Sequence, residues 1–221
     1  MDGEAFENSD EGQQARLAER KAALRHEAIA RRNAIPPEER ARRSEALCAA
    51  LLDELSERLD ADAEAGAGER PTLAAYCALG SEVDLAALLH GAWDRGWRVC
   101  LPCMVEAQPA PRMIFLELDR AAYDARELPF LAKPARNLPA DDPLLSRLPV
   151  VEPAQMDAVI VPMVAFDDRL GRLGYGGGNY DRFLGGLRED ALVVGAAFEE
   201  QRVEEVPREP HDLPLPRILV A

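Results

Sequence analysis

Residues 157–181 read DAVIVPMVAFDDRLGRLGYGGGNYD, and the rest of the chain is organised around them. The apolar run 158–161 is long enough for a buried strand, and Pro162, which has no N–H for a ladder, stops it. Asp167, Asp168 and Gly171 supply turn chemistry. Arg172-Leu173-Gly174-Tyr175-Gly176-Gly177-Gly178 follows, and residues 179–184 read as the first turns of a helix with Asn179 as N-cap. Strand, glycine-rich loop and helix start together present backbone N–H groups to an anion. Four glycines in the five positions 174–178 leave no side chain to hold a phosphate away. Arg172 adds a fixed positive charge, and Asp181 a carboxylate that could hold a magnesium ion at that phosphate.

This loop lacks the Gly-Lys-Ser/Thr ending of a Walker A loop, and its glycines do not fall in the G-x-G-x-x-G spacing of a dinucleotide site. On glycine content alone it fits a flexible loop as well as a phosphate cradle. The arginine before it and the Tyr-Asp pair after it favour the cradle.

The chain has 221 residues, enough for one domain with a substantial core. No apolar run approaches the roughly 18 residues of a membrane span, and residues 1–12, MDGEAFENSDEG, carry no leader pattern, so a soluble cytoplasmic protein is expected. A formal charge of −14 argues against nucleic-acid binding, which requires neutralising phosphates. It also repels anionic substrates, so any such ligand needs positive charge gathered locally, with the Lys21/Arg25 face and Arg172 as candidates. Among four cysteines, Cys100 and Cys103 form a C-x-x-C. A proline-rich segment follows where a redox site needs a helix, and no second pair stands at zinc-site spacing, so both read as buried thiols.

In chain order, residues 1–12 read as a disordered tail and 13–221 as one α/β domain. Residues 13–33 are strong helix formers; Leu17, Leu24 and Ala28 make an apolar stripe, and Lys21 and Arg25, four apart, share a face. A second helix starts at Pro36-Pro37 and runs to about Leu59, with Ala46, Leu47, Ala50, Leu51 and Leu55 inward; residues 61–70 read as a surface linker. Strands are expected at 72–79, 97–101, 113–118 (a hairpin or edge partner), 158–161 and 192–197, with 218–220 closing the sheet. Helices are expected from Val83 to about Arg95 and from the glycine loop to about Arg188. Residues 119–156 read as a long irregular excursion. Alternating strands and helices indicate a three-layer, Rossmann-like α/β domain, its mainly parallel sheet covered by helices on both faces. Glu82 follows the first strand, where it either steadies the next helix or faces a ligand.

The block RLGYGGGNYDRFL, preceded by VPMVAFD, resembles the signature of the 5-formyltetrahydrofolate cyclo-ligase family, also called methenyltetrahydrofolate synthetases. The resemblance runs from about Lys21 to the C-terminus and is most specific over residues 172–181; Asn179 stands where the family usually has an aromatic. It implies an ATP-dependent ligase that forms a C–N bond, with ATP, Mg²⁺ and 5-formyltetrahydrofolate as its small-molecule partners and a monomeric state. It implies that Lys21 and Arg25 reach the nucleotide phosphates, an opening helix with Lys-x-x-x-Arg being shared by the family. Lys21 and Arg172 are then the catalytic charges. Lys21, Arg25, Arg172, Leu173, Gly174, Tyr175, Gly176, Gly177, Gly178, Asn179 and Tyr180 bind ATP. Glu82, Tyr175, Gly176, Gly177 and Gly178 bind the folate, and Asp181 and Asp212 hold the metal. Without the resemblance, Lys21 and Arg25 fit a solvated helix face, and His211-Asp212 fits a simple turn.

The implied reaction transfers the γ-phosphoryl group to the formyl oxygen, after which N10 attacks and phosphate leaves; no protein nucleophile is required, and no Ser/His/Asp or Cys/His set stands out. Two other classes fit the residues: a sugar-phosphate isomerase or acyl-transfer enzyme on a similar sheet, and a non-catalytic folate- or nucleotide-binding protein.

Overall fold

In a computed structural model, residues 10–64, 70–209 and 212–221 are described; most of the expected tail, part of the 61–70 linker, and Pro210 and His211 lie outside them. Two long helices come first, α1 (Asp10–Ala34) and α2 (Pro37–Glu64). The first begins three residues ahead of the composition change at Gln13, and the second runs past Leu59. A Pro at its first helical position and Glu38-Glu39 in its first turn start α2 well. Leu47, Cys48, Leu51, Leu55 and Leu59 form its buried stripe, while Ala46 and Ala50, expected inward, are exposed.

The main sheet contains eight strands: β1 (Thr72–Ala74), β2 (Arg98–Val105), β3 (Arg112–Leu118), β4 (Asn137–Leu138), β5 (Val150–Val151), β6 (Ala158–Pro162), β9 (Leu192–Ala197) and β10 (Ile218–Val220). A separate ribbon pairs β7 (Ala165–Phe166) with β8 (Arg172–Leu173). The order is β10-β9-β6-β1-β2-β3-β5, with β4 beside β2. Pairs from β10 through β2 are parallel, and β3 joins β2 as the expected antiparallel hairpin. The chain is thus an α/β domain with a mixed, mainly parallel sheet.

Side-chain alternation divides the core between the two faces of the sheet. Val99, Leu101, Cys103 and Val105 of β2 meet α2 and α3 (Ala86–Asp94), together with Tyr123 of α4 (Arg120–Ala125) and Phe130 of α5 (Pro129–Ala132). Cys100 points the other way, toward Phe115, Val159 and Phe183, the last on α6 (Asn179–Leu184). Cys100 and Cys103 therefore lie on opposite faces and are free, as are Cys48 and Cys77.

Several elements are shorter than the sequence pattern suggests. β1 ends at Ala74 rather than Leu79, and α3 starts at Ala86 rather than Val83. Between them the Val83 carbonyl accepts from the Tyr76 hydroxyl at 3.1 Å, and Asp84 accepts from Ala86 N–H at 3.0 Å. Gly185-Gly186 ends α6 at Leu184, well before Arg188. Its N-cap is Gly178, at φ 63°, and Asn179 is the first helical residue. The 119–156 excursion is ordered into two short helices, two 3₁₀ turns and two strands, and it buries Phe130, Leu131 and Leu138.

Candidate active site

The carboxyl ends of the parallel strands open onto a cavity of about 600 Å³, where ligands of open α/β sheets sit. Its walls contain Lys21, Arg25, Glu82, Arg172, Leu173, Gly174, Tyr175, Gly176, Gly177, Gly178, Asn179, Tyr180, Asp181 and Asp212. Every candidate site residue thus borders one space. Pro102, Met104 and Met113 of the β2–β3 hairpin, and Pro134 and Ala135 of the excursion, give it an apolar wall.

Asp167 shapes the turn that leads into the glycine loop. Its buried carboxylate accepts from Gly171 N–H at 2.8 Å, Arg169 N–H at 3.0 Å and Val206 N–H at 2.9 Å. The last bond fastens the C-terminal segment that carries Glu209 and Asp212. Beyond β8 the backbone N–H groups of residues 174–178 have no protein acceptor among the described residues. Arg25 Nε donates to the Gly174 carbonyl at 2.7 Å, and a Cβ on Gly176, whose φ is +101°, would sit 3.3 Å from the Arg25 guanidinium. Arg182 clips the other end, donating to Gly177 O at 2.9 Å and Asn179 Oδ1 at 2.7 Å. The loop is braced through its carbonyls, and its amides stay available.

Two cations on this wall, Arg172 and Lys21, are closed by carboxylates. Arg172 Nη2 donates to Asp181 Oδ1 at 2.5 Å, and Lys21 Nζ donates to Glu209 and Asp212 at 2.7 Å each. Burial pushes the Lys21 pKa down, but its bonds to Asp212 and Glu209 outweigh that and leave it raised. Arg172 Nε is buried without a partner. No group of three or more carboxylate, histidine or cysteine donors is arranged for a metal among the described residues. Asp181 and Asp212 are two hard oxygen donors beside the loop, a set that fits Mg²⁺ when phosphate oxygens and water complete its shell.

Glu82 lines the same cavity, beside Tyr175 of the glycine loop. Its Oε2 accepts from Leu79 N–H at 2.7 Å, while Oε1 is buried without a hydrogen bond. Burial raises its pKa above the ordinary carboxylate value, and the Leu79 N–H, the Arg32 charge and Tyr175 pull it back in part. The Tyr180 hydroxyl is likewise buried without a partner. Three of the four such orphan atoms among the described residues thus belong to this cavity's lining, on Glu82, Arg172 and Tyr180.

Arg32, Arg182 and Glu209 contact this machinery and were not singled out by the sequence. For Arg32 a signal exists: positions 21, 25, 28 and 32 lie along one helical face. Glu209 carries no pattern of its own, and Arg182 reads as an ordinary surface arginine.

A glycine-lined anion cradle faces a buried carboxylate acceptor, at the strand ends of a mainly parallel α/β domain. This arrangement can accommodate an anionic group beside a second, hydrogen-bonding ligand. The model of the 5-formyltetrahydrofolate cyclo-ligase family matches residues 17–221. The 5-formyltetrahydrofolate cyclo-ligase of Escherichia coli strain K12 is 33% identical over 149 residues, 67% of this chain and 76% of that one. The structure of 5,10-methenyltetrahydrofolate synthetase from Mycoplasma pneumoniae superposes with a TM-score of 0.66 at 22% identity, covering 90% of this chain and 96% of that one. The enzyme of the same name from Aquifex aeolicus gives 0.63 at 26%, covering 90% and 89%. The chain belongs to the 5-formyltetrahydrofolate cyclo-ligase family, and it is an enzyme of the ligase class.

Proposed function

We propose that this chain converts 5-formyltetrahydrofolate to 5,10-methenyltetrahydrofolate, using ATP and Mg²⁺ and releasing ADP and phosphate. The observation that carries this reading is the run of unbonded amides at 174–178, beside Arg172 and in the same cavity as Glu82, whose buried Oε1 has no hydrogen-bond partner. Amides and guanidinium suit terminal phosphates, and a carboxylate acceptor suits the amino and ring N–H groups of a pterin.

The formyl amide is a poor electrophile until its oxygen is turned into a leaving group. The γ-phosphorus–oxygen bond to ADP breaks as the formyl oxygen bonds to that phosphorus. N10 then attacks the formyl carbon and loses its proton, and the C–O bond to phosphate breaks. Phosphate departs with the formyl oxygen, leaving the methenyl bridge. The protein's part is alignment and charge stabilisation. Lys21, Arg25 and Arg172 neutralise phosphate charge; residues 173–180 shape the cradle. Glu82 anchors the folate, with Tyr175 and glycines 176–178 between the two ligands. Asp181 and Asp212 are the residues suited to Mg²⁺, which when bound draws charge from the phosphates.

No helix among the described residues is long and apolar enough to cross a membrane. The assay is growth of the methenyl absorbance from 5-formyltetrahydrofolate. Product that requires both ATP and Mg²⁺ is expected; product without ATP, or none with both present, would overturn the proposal.

A further inference from the structure

Arg32 is a fully enclosed arginine, 2% exposed, on the same face of α1 as Lys21 and Arg25. Removing a guanidinium from water costs several kcal/mol unless its hydrogens are matched, so its partners need an account. Nε donates to Ser81 Oγ at 2.9 Å, Nη2 to the Tyr175 hydroxyl at 2.9 Å, and Nη1 more weakly to the Met163 carbonyl at 3.5 Å. Ser81 is held in turn, donating to Asn33 Oδ1 at 2.5 Å. The nearby carboxylate, Glu82, keeps its Oε1 at 3.9 Å from Nη1. That separation allows Coulomb attraction and is too long for a hydrogen bond.

The arrangement divides Glu82 between two tasks. Oε2 is tied to Leu79 N–H, and Oε1 has no partner. Had Arg32 gripped the carboxylate in a fork, both oxygens would be engaged and no acceptor would be left over. Instead, Ser81 and Tyr175 occupy the guanidinium, and Glu82 feels its charge across a gap. The groups facing Glu82 are Arg32 from α1, Tyr76 and Cys77 after β1, Tyr175 from the glycine loop and Tyr180 from α6. Burial raises the pKa of each of these tyrosines and of Cys77, so they are neutral through physiological pH. Arg32 is the charged member of the set.

We propose that Arg32 is a positioning residue for folate capture: it stands beside Glu82 without bonding Oε1, which stays free to accept from a ligand, and it fixes the Tyr175 hydroxyl in the same wall. This rests on the folate-binding reading of the cavity given above. Arg32 touches neither ligand and acts through Glu82 and Tyr175. It also links the strand-end wall to the glycine loop, so the two halves of the site are set relative to each other by one side chain.

The test measures kcat and KM for 5-formyltetrahydrofolate and for ATP in wild type, Arg32→Met, Arg32→Lys and Glu82→Gln at pH 6 and pH 8.5, with thermal melts to confirm folding. Without the nearby cation, Glu82 takes up a proton at higher pH. Each unit of pKa displacement costs about tenfold in the ionised fraction at low pH. The folate KM of Arg32→Met should therefore rise about tenfold or more over wild type at pH 6, and by much less at pH 8.5, with the ATP KM little changed. Arg32→Lys retains a cation and should follow the wild-type pH dependence. In the Glu82→Gln background, Arg32→Met should add no further pH dependence. Should Arg32→Met fold too poorly to assay, the Lys variant and Tyr175→Phe carry the test: the first should keep the wild-type pH profile, the second should raise folate KM at both pH values. A folded Arg32→Met enzyme with wild-type folate KM at both pH values overturns this inference and leaves the proposed reaction standing. A loss equal at both pH values, or shared by folate and ATP, overturns it as well. Failure of the wild-type enzyme to form product refutes the reaction itself.

Discussion

Arg172 and Asp181 face each other at 2.5 Å, so a cation suited to phosphate is bonded to a carboxylate suited to magnesium. Lys21 repeats the relationship with Asp212 and Glu209. Lys21 and Arg172 are thus each paired with carboxylates, while Arg25 is held by the Gly174 carbonyl.

That pairing predicts that nucleotide and metal bind together. ATP alone must pull Lys21 and Arg172 off their carboxylates and leave those carboxylates without a cation. A non-hydrolysable ATP analogue, followed by calorimetry, should bind at least about tenfold more tightly with Mg²⁺ than with EDTA, the equivalent of roughly 1.4 kcal/mol. Asp181→Asn frees Arg172, so its metal-free affinity should exceed that of wild type while its response to Mg²⁺ shrinks. Equal affinities with and without the metal in wild type would contradict the exchange.

Arg172→Ala should lower kcat by about a hundredfold or more, the usual scale for removing a charge-stabilising donor from a closed site. The fold should survive, because the side chain faces the cavity and its ion-pair partner Asp181 is part-exposed. Near wild-type formation of the methenyl chromophore by a folded variant would remove Arg172 from the mechanism.

Gly176→Ala places a Cβ 3.3 Å from Arg25 at a φ of +101°. A non-glycine residue held in such a conformation costs on the order of 1–3 kcal/mol. The variant should melt a few degrees lower, and its KM for ATP should rise several-fold as the loop shifts to relieve the strain. An unchanged melt and KM would mean that the loop is loose at this point.

The cysteines should be inert in the native enzyme. Burial pushes the Cys48 and Cys103 thiols up to about 11 and Cys77 up to about 12, and Cys100 is raised further. A chromogenic disulfide reagent at pH 8 should titrate four thiols only after denaturation; rapid reaction of two in the native state would restore a redox reading of Cys100 and Cys103.

The alternation of apolar runs and helical stretches made the sheet legible, and the loop 172–178 pointed to the cavity it lines, because both signals are local. β9 and β10 fall where the apolar runs stand. Element ends were less legible. β1 stops at Ala74, and past it the Tyr76 hydroxyl donates to the Val83 carbonyl, a side-chain bond within the loop that apolar periodicity does not display. Ala46 and Ala50 share helical spacing with Leu47 and Leu51 closely enough to mislead, and only packing against α3 separates them. The excursion 119–156 has no period because its elements are short and borrow their hydrogen bonds from the sheet edge. Arg32 was hidden among the many arginines of α1; its burial depends on Ser81, Met163 and Tyr175, which lie far along the chain.

The central claim is that the bare amides of the glycine loop hold the nucleotide's terminal phosphates. Titration of ¹⁵N-labelled enzyme with the Mg²⁺ complex of a non-hydrolysable ATP analogue, following backbone amide resonances, tests it most directly. The amides of Gly174, Gly176, Gly177 and Gly178 should show the largest shifts and saturate together with the Arg172 side-chain signal. Saturation elsewhere on the protein with those four resonances unmoved would contradict the account.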